Sequence, residues 1–382
     1  MRRRVLLGAV GLLMIVAVPG ADACPLCLGG VLFAPGQQLD VAERAVLAAP
    51  VADGTRWRVL EVVKGHAVAG QVISEPVDRA DVAAMRAGKP LLLLRHEQWP
   101  RWSSVGTIGV EYAGWLRQLA ATGPGTGKSD VDWRGRVALV APYLEDPEPL
   151  AALIAYGEIA RAPYGALRPL KPRLDAAAVV RWLDDPRLAS RRPAYTLLLG
   201  IAGGPADAER LEQRLDAAWA SRDSSNLGAM LAADLELRGP SRVAWIETMY
   251  LGDRRRTMPE IAAALQALSE HGDENGAVPR GRVIRAFLLL IKERKPMAGL
   301  VAEHLAEWES WDAVAEYAAL LASNVPLDPA SRGAIVTYLE RCPRAEAKAA
   351  LASLSVAPAG RPPQGGQPPV RLPDPQQAPS QK

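Results

Sequence analysis

A short motif that recurs 39 residues further along the chain restricts the fold more than any other feature. The segment Tyr143-Leu144-Glu145-Asp146-Pro147 returns as Trp182-Leu183-Asp184-Asp185-Pro186, and Tyr156 returns as Tyr195 at the same offset. A unit of this length cannot bury its apolar face alone, so neighbouring units must stack on one another. The recurrence therefore predicts a row of similar supersecondary units.

The region around this motif, residues 133–356, has helical periodicity. Asp175 precedes apolar residues at helical spacing, and Thr257 with Glu260 forms a capping box before another apolar run. The pattern predicts about ten helices, with short Gly, Pro and Asp turns. A period near 40 with two helices in each unit is typical of HEAT-type repeats. We therefore predict an irregular HEAT-like α-solenoid here.

The preceding region, residues 24–122, is richer in strand signals. Strands are predicted at residues 45–51, 56–63, 69–73 and 91–94, and short helices at 39–44 and 112–121. The fully apolar run at 91–94 indicates a strand buried on both faces. These elements predict a small OB-like β-barrel or curled sheet, and the whole chain is predicted to be an α+β protein of two domains.

The N-terminal residues 1–23 have the features of an export signal. Arg2 to Arg4 precede an apolar run that ends at Val18, and Ala21-Asp22-Ala23 forms a small-x-small cleavage site. The run is too short for a retained membrane anchor. Cleavage would place Cys24 first, but a lipoprotein signal has Leu where Ala21 stands and a small neutral residue where Asp22 stands. We expect a periplasmic or extracellular protein without a transmembrane anchor after processing, with lipidation at Cys24 as the less favoured alternative.

Charge and the remaining segments narrow the function further. The chain has 45 Lys and Arg against 42 Asp and Glu, and loss of residues 1–23 would leave a net charge of +1, which argues against nucleic acid as a partner.

Residues 123–132 are predicted to be a linker, because Thr122 stands where a phosphate-binding loop needs Gly and a helix precedes it. The Pro/Gly/Gln-rich residues 357–382 are predicted to be a disordered tail.

Cys24 and Cys27 carry the strongest local signal for chemistry. Two thiols at this spacing can close a disulfide, exchange disulfides or bind a soft metal. Leu28 stands where a c-type haem site needs His. An oxidising compartment favours the disulfide, with a redox or metal role as the alternative. Cys342 continues an apolar stripe and is predicted to lie in the core.

The four histidines do not share a metal-ligand spacing. His66 follows a turn, His96 ends a strand, His304 lies on an apolar helix face, and His271 begins a polar segment that we interpret as a solvated loop. The basic run Arg254-Arg255-Arg256 is also interpreted as a solvated loop. The tryptophan pairs Trp99/Trp102 and Trp308/Trp311 are predicted to pack in the core or at its edge.

Several segments together resemble a family of exported bacterial proteins. The similarity lies in Cys24-Pro25-Leu26-Cys27, in the strand Val59–Gly65 that ends in Lys-Gly, and in the helical segment Ala155–Tyr164. The resemblance implies a small β domain followed by HEAT-like helices, and it brings no activity with it. The β region also resembles OB-type barrels of the netrin-like and metalloproteinase-inhibitor kind. It lacks their further cysteines, which argues against inhibition.

Taken together, these patterns predict a non-catalytic interaction scaffold. Helical repeats present long surfaces that bind proteins or peptides, and no catalytic constellation or cofactor motif accompanies them. The alternative is a thiol-redox or metal-binding protein that acts through Cys24 and Cys27.

Overall fold

The computed structural model describes residues 34–51, 56–74, 77–78, 87–97, 99–123, 130–273 and 276–356. The described residues up to Phe287 form one compact unit, and those from Leu288 onward form a second. The predictions for the signal peptide, for Cys24 and Cys27, and for the tail at 357–382 concern residues outside this set. The domain boundaries proposed from the sequence stay predictions.

Six strands form one curled, half-barrel sheet in the first unit. They are β1 (Arg44–Pro50), β2 (Trp57–Lys64), β3 (Val72–Ile73), β4 (Val77–Asp78), β5 (Leu91–His96) and β6 (Trp99–Thr107). The spatial order is β3-β2-β1-β5-β6-β4, in which all neighbours are antiparallel except β4, which runs parallel to β6. All four predicted strands are present, although only Val72–Ile73 of the segment predicted at 69–73 forms a strand, and β4 and β6 are additional.

The central strands β1 and β5 are buried on both faces. On one face, Val46, Leu91 and Leu93 pack with Trp57 and Trp102 in an apolar core. The residues that alternate with them on the opposite face, Ala45, Leu47, Leu92 and Leu94, are equally inaccessible to solvent. The prediction that residues 91–94 form a doubly buried strand is therefore confirmed, as is the core position of Trp102.

Two short helices accompany the sheet, and the sequence placed one of them incorrectly. Helix α1 spans Pro35–Val41 rather than residues 39–44, because Pro35 begins it and the backbone becomes extended at Ala42. Arg44 already pairs with Arg95 as the first residue of β1. Helix α2 spans Ala113–Ala121, as predicted.

The rest of the described chain is helical. The helices are α3 (Asp130–Val140), α4 (Pro149–Arg161), α5 (Tyr164–Leu167), α6 (Ala176–Asp184), α7 (Arg192–Ala202), α8 (Pro205–Ser221), α9 (Leu227–Arg238), α10 (Val243–Ile246), α11 (Met258–Gly272), α12 (Arg280–Glu293), α13 (Ala302–Glu307), α14 (Val314–Ala322), α15 (Pro329–Arg341) and α16 (Ala345–Val356). Short 3-10 segments connect several of them, and a π-helical turn, Glu247–Leu251, follows α10.

The caps that the sequence indicated are present. The carboxylate of Asp175 accepts a hydrogen bond from the backbone N–H of Ala177 and begins α6. Thr257 and Glu260 form the reciprocal capping box at the start of α11. Since caps depend on local spacing alone, these helix starts could be identified without tertiary information.

Successive helices of the first unit pack on one another. Helix α9 packs against α7 on one side and α11 on the other, and α8 packs against α9. The rings of Tyr156 and Tyr195, which the 39-residue recurrence relates, meet edge to face with centroids 6.2 Å apart. The helical character is thus confirmed, and neighbouring copies of the motif contact each other.

The second unit is held by buried tyrosines. The hydroxyl of Tyr317 donates to the carbonyl of Ala298 at 2.9 Å, and the hydroxyl of Tyr338 donates to the carbonyl of Ser310 at 2.7 Å. Cys342 follows α15 and is a free, buried thiol, as predicted. It serves as the C-cap of α15 rather than as a residue within the helix.

Candidate functional site

A groove of about 350 Å³ lies where α7 and α9 end and α8 begins. Its walls are the last turn of α7, the link Gly203-Gly204, the first two turns of α8, the last turn of α9, and Lys171 from the 3-10 segment after α5. The volume falls near the lower end of the roughly 300–1,000 Å³ of small-ligand sites. The groove is therefore large enough for a small or short extended ligand.

Glycines bring the walls of the groove together. A Cβ on Gly200 would lie 2.7 Å from Cα of Ala233, so only glycine lets α7 approach α9 this closely. The N–H of Gly203 donates to the carbonyl of Leu199 and ends α7, and Pro205 then begins α8. Local sequence thus makes the sharp turn between two helices that forms the floor of the groove.

Two of the charged residues that line the groove are held by other side chains. Arg238 donates to Asp234 and Glu212, both at 2.9 Å, and to the carbonyl of Ala208. Glu236 accepts from Nε of Arg168 through both oxygens, at 3.0 and 3.1 Å. These bonds hold both side chains in the groove wall.

The other two charged residues of the lining lack such partners. Lys171 and Glu209 are exposed, and neither side chain forms a hydrogen bond or an ion pair with any other described residue. Opposite charges that line one groove without bonding each other leave room for a ligand between them. No sequence pattern indicated this pair, because the two residues are 38 positions apart and join only through the packing of α7, α8 and α9.

Behind Glu236 lies a fully buried imidazole. His271 was predicted to lie in a solvated loop, and this is wrong: it occupies the last turn of α11 with no exposed surface. Its Nε2 lies 2.8 Å from the carbonyl of Ala232, so Nε2 carries the proton and Nδ1 accepts from Arg168 at 3.3 Å. Polarity alone suggested a loop, whereas internal partners allow the ring to be buried.

This buried cluster is not suited to acid–base chemistry at neutral pH. Burial, and next the charge of Arg168, lower the pKa of His271 to about 3. The Arg168 guanidinium also stacks on Tyr164, with Cζ 5.0 Å from the ring centroid. His271 is therefore neutral at neutral pH, and it and Arg168 position Glu236 in the groove wall.

A second buried charge cluster ties α1 to the helices. The Arg136 guanidinium donates to Asp40 at 2.8 and 2.9 Å and to Glu158 at 2.5 Å, and Arg161 donates to Glu158 at 2.7 and 2.8 Å. Burial raises the pKa of Asp40, against the opposing charge of Arg136. A side chain at Gly36 would overlap Glu158, so this contact requires glycine. Both carboxylates of the cluster are paired with arginines, and the cluster acts as a clamp.

A third cluster joins the two copies of the repeated motif. Tyr195 and Arg191 both donate to the Glu145 carboxylate, and Arg191 stacks on Tyr156 with Cζ 4.9 Å from the ring centroid. Glu145 has a φ of +54°, in the left-handed region that costs free energy for a residue other than glycine. The two hydrogen bonds to its carboxylate hold the Glu145 backbone in this conformation. The backbone strain therefore accompanies the contact between the two copies of the repeated motif.

The remaining sequence candidates are scattered. His66 is exposed in a turn, Nδ1 of His96 lies 3.4 Å from the carbonyl of Val41, and His304 lies beside Trp308 with ring centroids 5.9 Å apart. Among the residues that the structure describes, no three His, Cys, Asp or Glu side chains come together as a metal site would require. The Cys24 and Cys27 prediction concerns residues outside that set.

The prediction that Arg254, Arg255 and Arg256 form a solvated loop is correct for the first two and wrong for Arg256. Arg254 and Arg255 are exposed, but Arg256 is buried, donates to Glu260 at 2.6 Å and stacks on Trp219. The side chain of Arg256 is buried because it contacts both Glu260, four residues further along the chain, and the ring of Trp219, which is distant in sequence.

Comparison with known proteins adds no relative: no protein family, no curated protein and no solved structure matches this chain. Within the described ranges, no helix combines the length and the apolar character needed to cross a membrane.

Proposed function

We propose that this protein is an exported, non-catalytic interaction scaffold whose HEAT-like helical repeats bind a protein or peptide partner. The observation that carries the proposal is the groove between α7, α8 and α9, where Lys171 and Glu209 have no partner among the described residues. The other two charged residues of the lining, Glu236 and Arg238, are paired, so within this groove Lys171 and Glu209 are the charges available to a partner.

Ion pairs between separate segments of the helical region support a scaffold role. Arg191, in the 3-10 segment before α7, donates to Glu145, and Arg214 of α8 donates to Asp184 of α6 at 2.6 Å. Arg282 of α12 donates to Glu247 in the π-helical turn after α10. Bridges of this kind keep neighbouring helices in a constant register. A preformed surface binds with less loss of conformational entropy than a flexible one, which favours recognition.

The same proposal has four further parts. Export is inferred from residues 1–23, and the solenoid arrangement from the 39-residue recurrence. The OB-like character is inferred from the curled sheet, and the kinship with exported Cys-Pro-x-Cys proteins from the motifs quoted above. Helical repeat proteins commonly bind other proteins along such surfaces, and we infer the same kind of binding here by analogy of fold.

A photo-cross-linking experiment tests the proposal. Benzoylphenylalanine is placed at Lys171 or at Glu209 in the full chain, and at the exposed Arg58 of β2 as a control. We expect irradiation in an envelope extract to give the same cross-linked partner from both groove positions and none from the control, with the partner identified by mass spectrometry. Equal adducts at all three positions, or none at the groove, would contradict the proposal.

The alternative function depends on Cys24 and Cys27. Intact-mass spectrometry with alkylation before reduction distinguishes the two. A mass two hydrogens light, with neither thiol alkylated, indicates a structural disulfide and favours the scaffold. Alkylation of both thiols, or a metal lost on denaturation, favours thiol or metal chemistry.

A further inference from the structure

The groove has a charge pattern that selects a particular class of ligand. Lys171 offers a cation and Glu209 an anion, and both line the same cavity of about 350 Å³. The two side chains do not bond to each other or to other described residues. A ligand with one charge of each sign would satisfy both, whereas a ligand with one charge would leave the other unpaired.

A short ligand matches the size of the groove. A sphere of the same volume is about 9 Å across, which is the length of two to three extended residues at about 3.3–3.6 Å each. The other charged groups of the lining are neutralised by their partners, because Glu236 is bound to Arg168, and Arg238 shares Asp234 and Glu212 with Arg242. They therefore shape the walls without adding net charge.

We propose that the groove binds a short zwitterionic peptide, with its carboxylate at Lys171 and its ammonium group at Glu209. This inference rests on the proposed peptide-binding function and names the chemistry of its ligand. A free di- or tripeptide carries these two charges at its ends, whereas an internal segment of a protein can offer them only through its side chains.

The test uses the full chain and four forms of one peptide. The probes are trialanine, its N-acetyl form, its C-terminal amide and the doubly blocked form, measured by calorimetry at pH 7.5 and low salt. Exposed ion pairs are weak, so we expect each blocking group to reduce affinity about 1.5- to fivefold. Added salt should reduce the affinity of the free peptide most.

Variants assign each end of the peptide to its partner. Lys171→Gln should abolish the difference between the free acid and the amide, and Glu209→Gln should abolish the difference between the free amine and the acetylated form. The control variants Arg173→Gln and Arg210→Gln change exposed charges on the same elements outside the groove lining and should leave all four affinities unchanged.

Three results would overturn the inference. They are equal affinity for all four peptides, no binding of any peptide, and control variants that act like the groove variants. Equal affinity, or a partner cross-linked at Lys171 without any tripeptide binding, would leave the scaffold proposal intact. Failure of the scaffold proposal is seen separately, in the absence of cross-links at the groove.

Discussion

Replacing His271 with glutamine should remove a dependence of stability on pH that arises from one buried ring. The wild-type imidazole is inaccessible to solvent and donates through Nε2 to the carbonyl of Ala232. Glutamine can keep that donor while having no group that titrates near neutral pH. The comparison between the two proteins therefore isolates the protonation of His271.

The size of the effect follows from the pKa of the ring. Burial lowers the pKa of His271 to about 3, from the ordinary value of 6.5. Below pH 6.5 the unfolded chain takes up a proton that the folded chain does not accept until about pH 3, so stability falls as the pH falls through this window. At pH 5 the loss is about 2 kcal/mol relative to pH 7.5, because pH 5 lies about 1.5 below the unfolded pKa and each pH unit costs about 1.36 kcal/mol.

Two measurements check this expectation. Urea unfolding of the wild type and of His271→Gln at pH 7.5 and pH 5 gives the difference in free energy of unfolding, which should change by about 2 kcal/mol in favour of the variant at the lower pH. Histidine-labelled NMR follows the four rings directly, and the resonance absent from the variant should not titrate between pH 7.5 and pH 4.5.

The reasoning would be refuted if that resonance titrated with a midpoint near 6.5. A stability difference that stayed constant between the two pH values would refute it equally. Either result would mean that water reaches the ring and that the contacts with Arg168 and Ala232 do not persist in solution.

Two substitutions and one labelling experiment test the other buried contacts. Gly36→Ala should destabilise the protein by about 1–3 kcal/mol in thermal unfolding, because the added Cβ would overlap the Glu158 carboxylate, which two arginines hold in place. The control variant Gly114→Ala places its Cβ in open space and should be neutral or slightly stabilising. Arg136→Met should cost about 3–5 kcal/mol, because it leaves the buried Asp40 carboxylate without its arginine and Glu158 with Arg161 alone. Arg117→Met removes an exposed pair and should cost less than about 1 kcal/mol; similar losses would contradict the clamp. Cys342 should resist alkylation in the folded protein and react after denaturation, and rapid native labelling would contradict its burial.

Local patterns predicted much of the secondary structure. The apolar run at 91–94 became a strand buried on both faces, and Thr257 with Glu260 became the cap of α11, because alternation and capping depend only on near neighbours in sequence. Helix α1 was misplaced by several residues, since its end depends on Arg44 pairing in the sheet.

The groove and the buried charges were not predictable in this way. Nothing adjoining His271 in sequence distinguishes it from a solvated residue, and its burial depends on partners at positions 168 and 232. Lys171 and Glu209 likewise look like ordinary surface charges until helix packing places them in one groove.

The sequence by itself determined the helical and strand regions, the caps and the repeat, because these depend on spacings of a few residues or on a recurrence visible along the chain. Only the tertiary structure decided which charged residues are buried and paired and which remain available to a ligand. The physical reason is that a charge can be buried only when partners compensate its lost hydration, and for Arg136 and His271 those partners come from distant parts of the chain.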